Sequence, residues 1–298
     1  MKKKLIKTFI LIFSLILLFS ACGKNTETDD IKKTVIATNF VAYDFARQLL
    51  GDIANISMLL PVGTESHTYE PTAQDILKIQ SCDLLIYNGG ESEEWIDSIL
   101  ESLPRHIETF RMIDCVELLS EDGEEDEYDE HVWTSPANAL KIVASLNEKL
   151  NDIFPEDADN ITANTNQYSD ELFGLYLDFA EAFSDESNKV LVFGDRFPFK
   201  YLVNEFGVEY HAAFSGCSSE TEPDAKVMSE LINIIKEKNI DRVFCIEFSS
   251  ENIARAISDA TGVKIRKWDS CHNVTKDQFD AGETYISLMK NNIAALQD

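Results

Sequence analysis

Two histidines stand in unusually specific surroundings. His67 lies in Gly63-Thr64-Glu65-Ser66-His67-Thr68-Tyr69-Glu70-Pro71, and His131 in Asp129-Glu130-His131-Val132-Trp133-Thr134-Ser135-Pro136. Each is followed within a few residues by a proline able to open a helix. The chain has only five histidines, and it spends two at loop-to-helix junctions, where side chains can converge on a small ligand. Imidazole nitrogens so placed are good donors to zinc or another first-row metal. His106 follows Pro104-Arg105 and His211 lies within a β run, so both read as structural or exposed.

Glu117 to Glu130 holds nine acidic residues in fourteen. Such a run repels itself and reads as a solvated loop; its position next to His131 also allows a role in collecting cations. The net charge of the chain is −27, which argues against nucleic acid as a partner and suits solubility and a cationic ligand. Cys82 and Cys245 border apolar runs and read as buried thiols. Cys217 and Cys271 fall in loops and are open to bridging or metal binding, and the sequence does not choose between them.

The elements that must position these groups alternate. Apolar runs at residues 35–37, 56–60, 84–87 and 109–113 read as strands, with helical patterns between them from Val41, Pro71 and Glu91. The second half repeats the theme: runs at 190–193, 208–214, 243–246 and 263–265, with helices over 223–238, 250–260 and 277–296. Strands separated by helices imply mostly parallel sheets. Between the halves, Tyr168, Leu172, Leu175, Tyr176 and Phe179 recur at spacings of three and four, which predicts one long, stiff helix. The expected fold class is α/β in two lobes, 33–154 and 188–298, each a mostly parallel sheet flanked by helices, joined by a rigid helix over 155–187.

The first residues read as a targeting segment. Met1-Lys2-Lys3-Lys4 is basic, Leu5 to Phe19 is largely apolar, and Leu18-Phe19-Ser20-Ala21-Cys22 offers small residues before a cysteine. This layout fits a secretory signal over 1–21 and resembles the lipobox of bacterial lipoproteins, in which Cys22 carries the lipid. Residues 22–32 then read as a tether. Loss of the signal would remove Lys2, Lys3, Lys4 and Lys7 and take the charge to about −31.

The Gly63–Pro71 segment with Asp75 behind it, and the His-Val-Trp-x-Ser-Pro segment at His131, resemble the two N-lobe metal-binding segments of the solute-binding proteins that serve zinc and manganese ABC importers (cluster A-I, zinc-type, ZnuA-like). The resemblance spans the mature chain. It implies a binding protein rather than an enzyme, a divalent metal between the lobes, an ABC membrane permease as partner, and lipid anchoring through Cys22 at the extracytoplasmic face of the cell membrane. A monomer is expected. It makes His67 and His131 the N-lobe ligands. The family's third segment has a histidine or glutamate ahead of an aromatic-x-Tyr helix start. Aligning Phe199-Lys200-Tyr201 puts Arg196 there, and a guanidinium is no ligand; Asp195 beside it would ligate or pair with Arg196. For the fourth segment Asp269 matches by position. His272 has ligand chemistry on a loop after a strand, or is simply an exposed loop histidine. Glu65, Glu247 and Cys271 complete the candidates, Glu247 as a residue that orients an imidazole. Two or three imidazoles with carboxylate oxygen favour Zn2+, with Mn2+ second. A secreted zinc hydrolase is the rival, although neither H-E-x-x-H nor G-x-S-x-G is present. A carrier of a larger chelated ligand would need a wide apolar cleft.

Overall fold

The structure, a computed structural model, describes residues 32–67, 69–120, 127–216 and 223–297. The leader, Cys22, Cys217 and residues 121–126 of the acidic run lie outside the described residues.

The first sheet has four parallel strands in the order β2-β1-β3-β4 (β1 Thr34–Ala37, β2 Asn55–Met58, β3 Leu84–Tyr87, β4 Glu108–Arg111). Three helices connect them: α1 Phe40–Leu50, α2 Ala73–Ser81 and α3 Glu94–Ser102. The central strands β1 and β3 are covered on both faces and are correspondingly apolar after Thr34, with Val35 to Ala37 and Leu84 to Tyr87 buried. The apolar run at 109–113 leaves the sheet at Arg111 and continues as a single 3-10 turn, Met112–Cys115. Helix α2 begins at Ala73 rather than at Pro71. Thr72 and Asp75 form a capping box, each side chain accepting the other's backbone N–H, and this fixes the start two residues later.

Two helices follow. In α4, Pro136–Ile153, Pro136 occupies the first position and the Ser135 hydroxyl accepts from Asn138 N. A four-residue connection leads into α5, Ala158–Ala182, which is 25 residues and therefore about 37 Å long. Its buried residues Ile161, Thr165, Tyr168, Leu172, Leu175, Phe179 and Ala182 alternate spacings of four and three. One continuous stripe thus packs along the body of the molecule.

The second sheet is again parallel, ordered β6-β5-β7-β8 (β5 Val190–Phe197, β6 Glu209–Ser215, β7 Arg242–Ile246, β8 Lys264–Trp268). It carries α6 Lys200–Phe206, α7 Ala225–Glu237 and α8 Asn252–Thr261. The helical pattern over 277–296 is two helices, α9 Lys276–Asp280 and α10 Tyr285–Gln297, because Gly282 turns the chain at φ +76°. The molecule is thus a two-lobed α/β protein, each lobe a parallel sheet flanked by helices, with the long α5 between them. Among the described residues no helix is long and apolar enough to cross a membrane.

Candidate metal centre

His67 comes from the loop between β2 and α2. Its ring is nearly buried, with 12 % of the side chain exposed. Burial pushes its pKa down to about 3, helped by the charges of His131 and Arg196, so it is a neutral imidazole at any ordinary pH.

His131 is fully buried at the start of the 3-10 turn Val132–Thr134. Asp129 Oδ1 accepts from both the His131 backbone N–H (2.8 Å) and ring Nδ1 (3.0 Å). A carboxylate in that position holds the proton on Nδ1 and leaves Nε2 as the donor, the usual way a protein prepares a ligating imidazole. Gly216, at the end of β6, lies flat against this ring: a Cβ there would stand 3.0 Å from His131 Cε1.

Glu130 is buried between the two histidines. Its Oε2 accepts from Ser92 N (3.1 Å), and its Oε1 lies 3.8 Å from His67 Nδ1. Oε1 is buried and accepts no hydrogen bond among the described residues. Burial raises the pKa of this carboxyl, so a cation beside it would satisfy the oxygen and hold the group ionised. Gly90, at φ +95°, makes room: a Cβ would come within 2.5 Å of Glu130 Oε2.

His272 closes the group from the other lobe. It follows β8 by four residues and is buried, and burial with the neighbouring imidazoles drives its pKa well below the usual histidine range. Its ring centroid stands 4.8 Å from that of His131 and 5.0 Å from that of His67. Trp133 packs edge-on against it at 4.5 Å. One donor atom from each of His67, Glu130, His131 and His272 lies within 4.8 Å of the others. Three nitrogens and one carboxylate oxygen at that separation suit a single small cation with tetrahedral preference.

The comparisons agree with this chemistry. Residues 35–298 match the family model described as ZnuA, zinc-uptake complex component A, periplasmic. The chain belongs to this family. It is 31% identical to the zinc-binding lipoprotein AdcA of Streptococcus pneumoniae over 98% of its own length, and spans 60% of that relative. The crystal structure of the Zn(II)-bound ZnuA-like domain of the same AdcA is 32% identical, with a TM-score of 0.77 over 89% of this chain and 98% of the domain. The metal-dependent lipoprotein YcdH of Bacillus subtilis is 28% identical, with a TM-score of 0.79 over 90% of this chain and 99% of YcdH.

Within this ZnuA-family chain the other sequence candidates have different surroundings. Asp269 lies outside the converging group: its Oδ1 accepts from Gln278 Nε2 (3.1 Å), while its backbone is clamped by Asn292. Asp195 sits at an irregularity of β5 between Phe193 and Arg196. Its two oxygens accept from Arg196 N (2.9 Å) and Ile246 N (3.2 Å), so its carboxylate serves the backbone. Arg196 pairs not with Asp195 but with Glu65, Nη1 to Oε1 at 3.3 Å, and Glu65 Oε1 also accepts from His67 N (3.2 Å). Glu247 is buried and receives the Ser270 N–H (2.7 Å) and hydroxyl; Ser270 Oγ in turn accepts from His272 N (3.4 Å). Glu247 thereby bears on the His272 loop through Ser270, and burial raises its pKa to about 7. Cys271 is a free, fully buried thiol turned into the apolar core, and burial pushes its pKa far up, away from thiolate chemistry.

Glu130 was missed as a donor by sequence reasoning. It stands inside the quoted Asp-Glu-His segment, but it is one of nine acidic residues in the run, and the other eight hid it. The available signal was adjacency: of those nine, only Glu130 touches His131 in sequence.

Proposed function

We propose that this chain is an extracytoplasmic solute-binding protein that captures one divalent metal ion, zinc, between its lobes and hands it to an ABC permease. The observation that carries this is the convergence of His67, Glu130 and His131 from one lobe with His272 from the other. Family membership and the zinc bound in the AdcA domain support it. We read His67, His131, His272 and Glu130 as the ligands. Asp129 and Glu247 orient them, and Asp269 holds the loop's shape rather than the ion.

Three imidazoles with one carboxylate favour zinc over manganese, which prefers oxygen-rich sites. A carrier rather than a hydrolase is supported by space. Two cavities that reach His272 are about 20 Å3 each, room there for roughly one water. The lobes are read as 33–154 and 188–298 with 155–187 as the link, acting as a monomer held at the membrane by lipid on Cys22.

Titration of the leader-free chain with zinc and manganese tests this. The expected result is one zinc per chain, bound at least ~100-fold more tightly than manganese. Absence of stoichiometric binding, or turnover of ester or phosphate substrates by the zinc form, contradicts it.

A further inference from the structure

Arg196 places a permanent positive charge beside a cation site. Its Nη1 meets Glu65 Oε1 at 3.3 Å, bridging residues 131 apart in sequence. Glu65 belongs to the His67 loop of the first lobe, and Arg196 to β5 of the second. Both side chains are partly open to solvent, 28 % for Glu65 and 18 % for Arg196, whereas Glu130, His131 and His272 are buried. The pair lines a small cavity together with His67 and His272. It lies beside the converging donors and is more open to water than they are. The Glu65 oxygen that meets Arg196 also accepts the His67 backbone N–H, so the pair is coupled to a donor loop.

We propose that the Glu65–Arg196 ion pair is an interlobe clasp that sets the rate at which the bound metal leaves. The inference rests on the metal-carrier reading above. A clasp slows exit only while both partners are present, so removal of either charge speeds release. A bare electrostatic field acts differently: loss of the Arg196 charge would strengthen cation binding, and loss of the Glu65 charge would weaken it. The sign of the Arg196 effect therefore separates the two.

The test is stopped-flow release of zinc from the loaded protein into excess chelator. It compares wild type, Glu65→Gln, Arg196→Gln and the double variant, each first shown to hold one zinc. The clasp predicts that both single variants release zinc about two- to five-fold faster, the range a partly exposed ion pair supplies. The double variant should be no faster than the faster single one, because the two charges act as a unit. Added salt should speed the wild type and leave the variants unchanged. Unchanged or slower release from Arg196→Gln overturns the clasp while leaving the carrier reading intact. A wild type that takes up no zinc overturns both.

Discussion

The first lobe brings His67, Glu130 and His131 to the site, whereas the second brings His272 alone, and the two contributions are held in place differently. Two of the first-lobe donors are fixed by their own lobe: Asp129 clamps His131, and Ser92 N and Asn88 hold Glu130. The His272 loop is tied to both lobes: Glu247 and Asn292 hold Ser270 and Asp269 from its own lobe, and the opposite lobe holds the rest. Its His272 carbonyl accepts from Phe40 N (2.9 Å) at the start of α1, and Ser270 O accepts from Trp133 Nε1 (2.8 Å). Asn273 Nδ2 donates to Pro61 O (2.8 Å) and Thr64 O (2.7 Å) on the His67 loop. Three donors thus come from one lobe, and the fourth sits on a loop bonded across to it. On the carrier reading proposed above, loosening that one loop would remove a donor from the shell.

The sharpest way to break the comparison is in the first-lobe donors. His67→Ala and His131→Ala are each expected to cost at least ~100-fold in zinc affinity by competition titration, because each removes a donor from a rigid set. Asp129→Asn should cost about 10- to 100-fold, the usual effect of losing the partner that orients a ligating imidazole. On the second-lobe side, Asn273→Ala removes two hydrogen bonds between the lobes. It should weaken affinity about 30-fold, chiefly through faster release, at the ordinary ~1 kcal/mol for each of the two hydrogen bonds. An equal effect on association and release would argue that the His272 loop is preformed.

The smallest effect is on the pH dependence of the metal-free protein, and here two buried groups oppose each other. His67 has a folded-state pKa of about 3, below its unfolded value of 6.5. The folded form thus binds fewer protons, and the stability this group contributes is present above pH 6.5 and lost as the pH falls toward 3. Glu247 is raised from 4.5 to about 7, so its contribution is present below pH 4.5 and lost as the pH rises through 7. Thermal melts from pH 4 to 8 should show His67→Gln flattening the acid limb and Glu247→Gln flattening the neutral one.

The two-lobed architecture was legible because its causes are local. Short apolar runs, capped helices and the three-four spacing along 161–182 report their own geometry. His67 and His131 stood out for the same reason, each set in a short, chemically distinctive loop. The second-lobe contribution was harder to read. Asp269 and His272 share one loop, and residue type does not say which side chain turns inward. That choice depends on Cys271, a non-glycine residue at φ +64°, and on bonds to residues more than 130 positions away. Arg196 showed only that a familiar donor was missing; its pairing with Glu65 belongs to the meeting of the lobes. Asp129 and Glu130 were camouflaged by the acidic run that contains them.

The central claim is that His272, and not Asp269, completes the shell from the second lobe. Paired zinc titrations of His272→Ala and Asp269→Ala test it most directly. The account predicts a loss of about 100-fold for His272→Ala, as expected for removing one of four donors to zinc, and less than about threefold for Asp269→Ala, whose carboxylate holds only a partly exposed side-chain hydrogen bond. A large loss for Asp269→Ala beside near wild-type affinity for His272→Ala would contradict it.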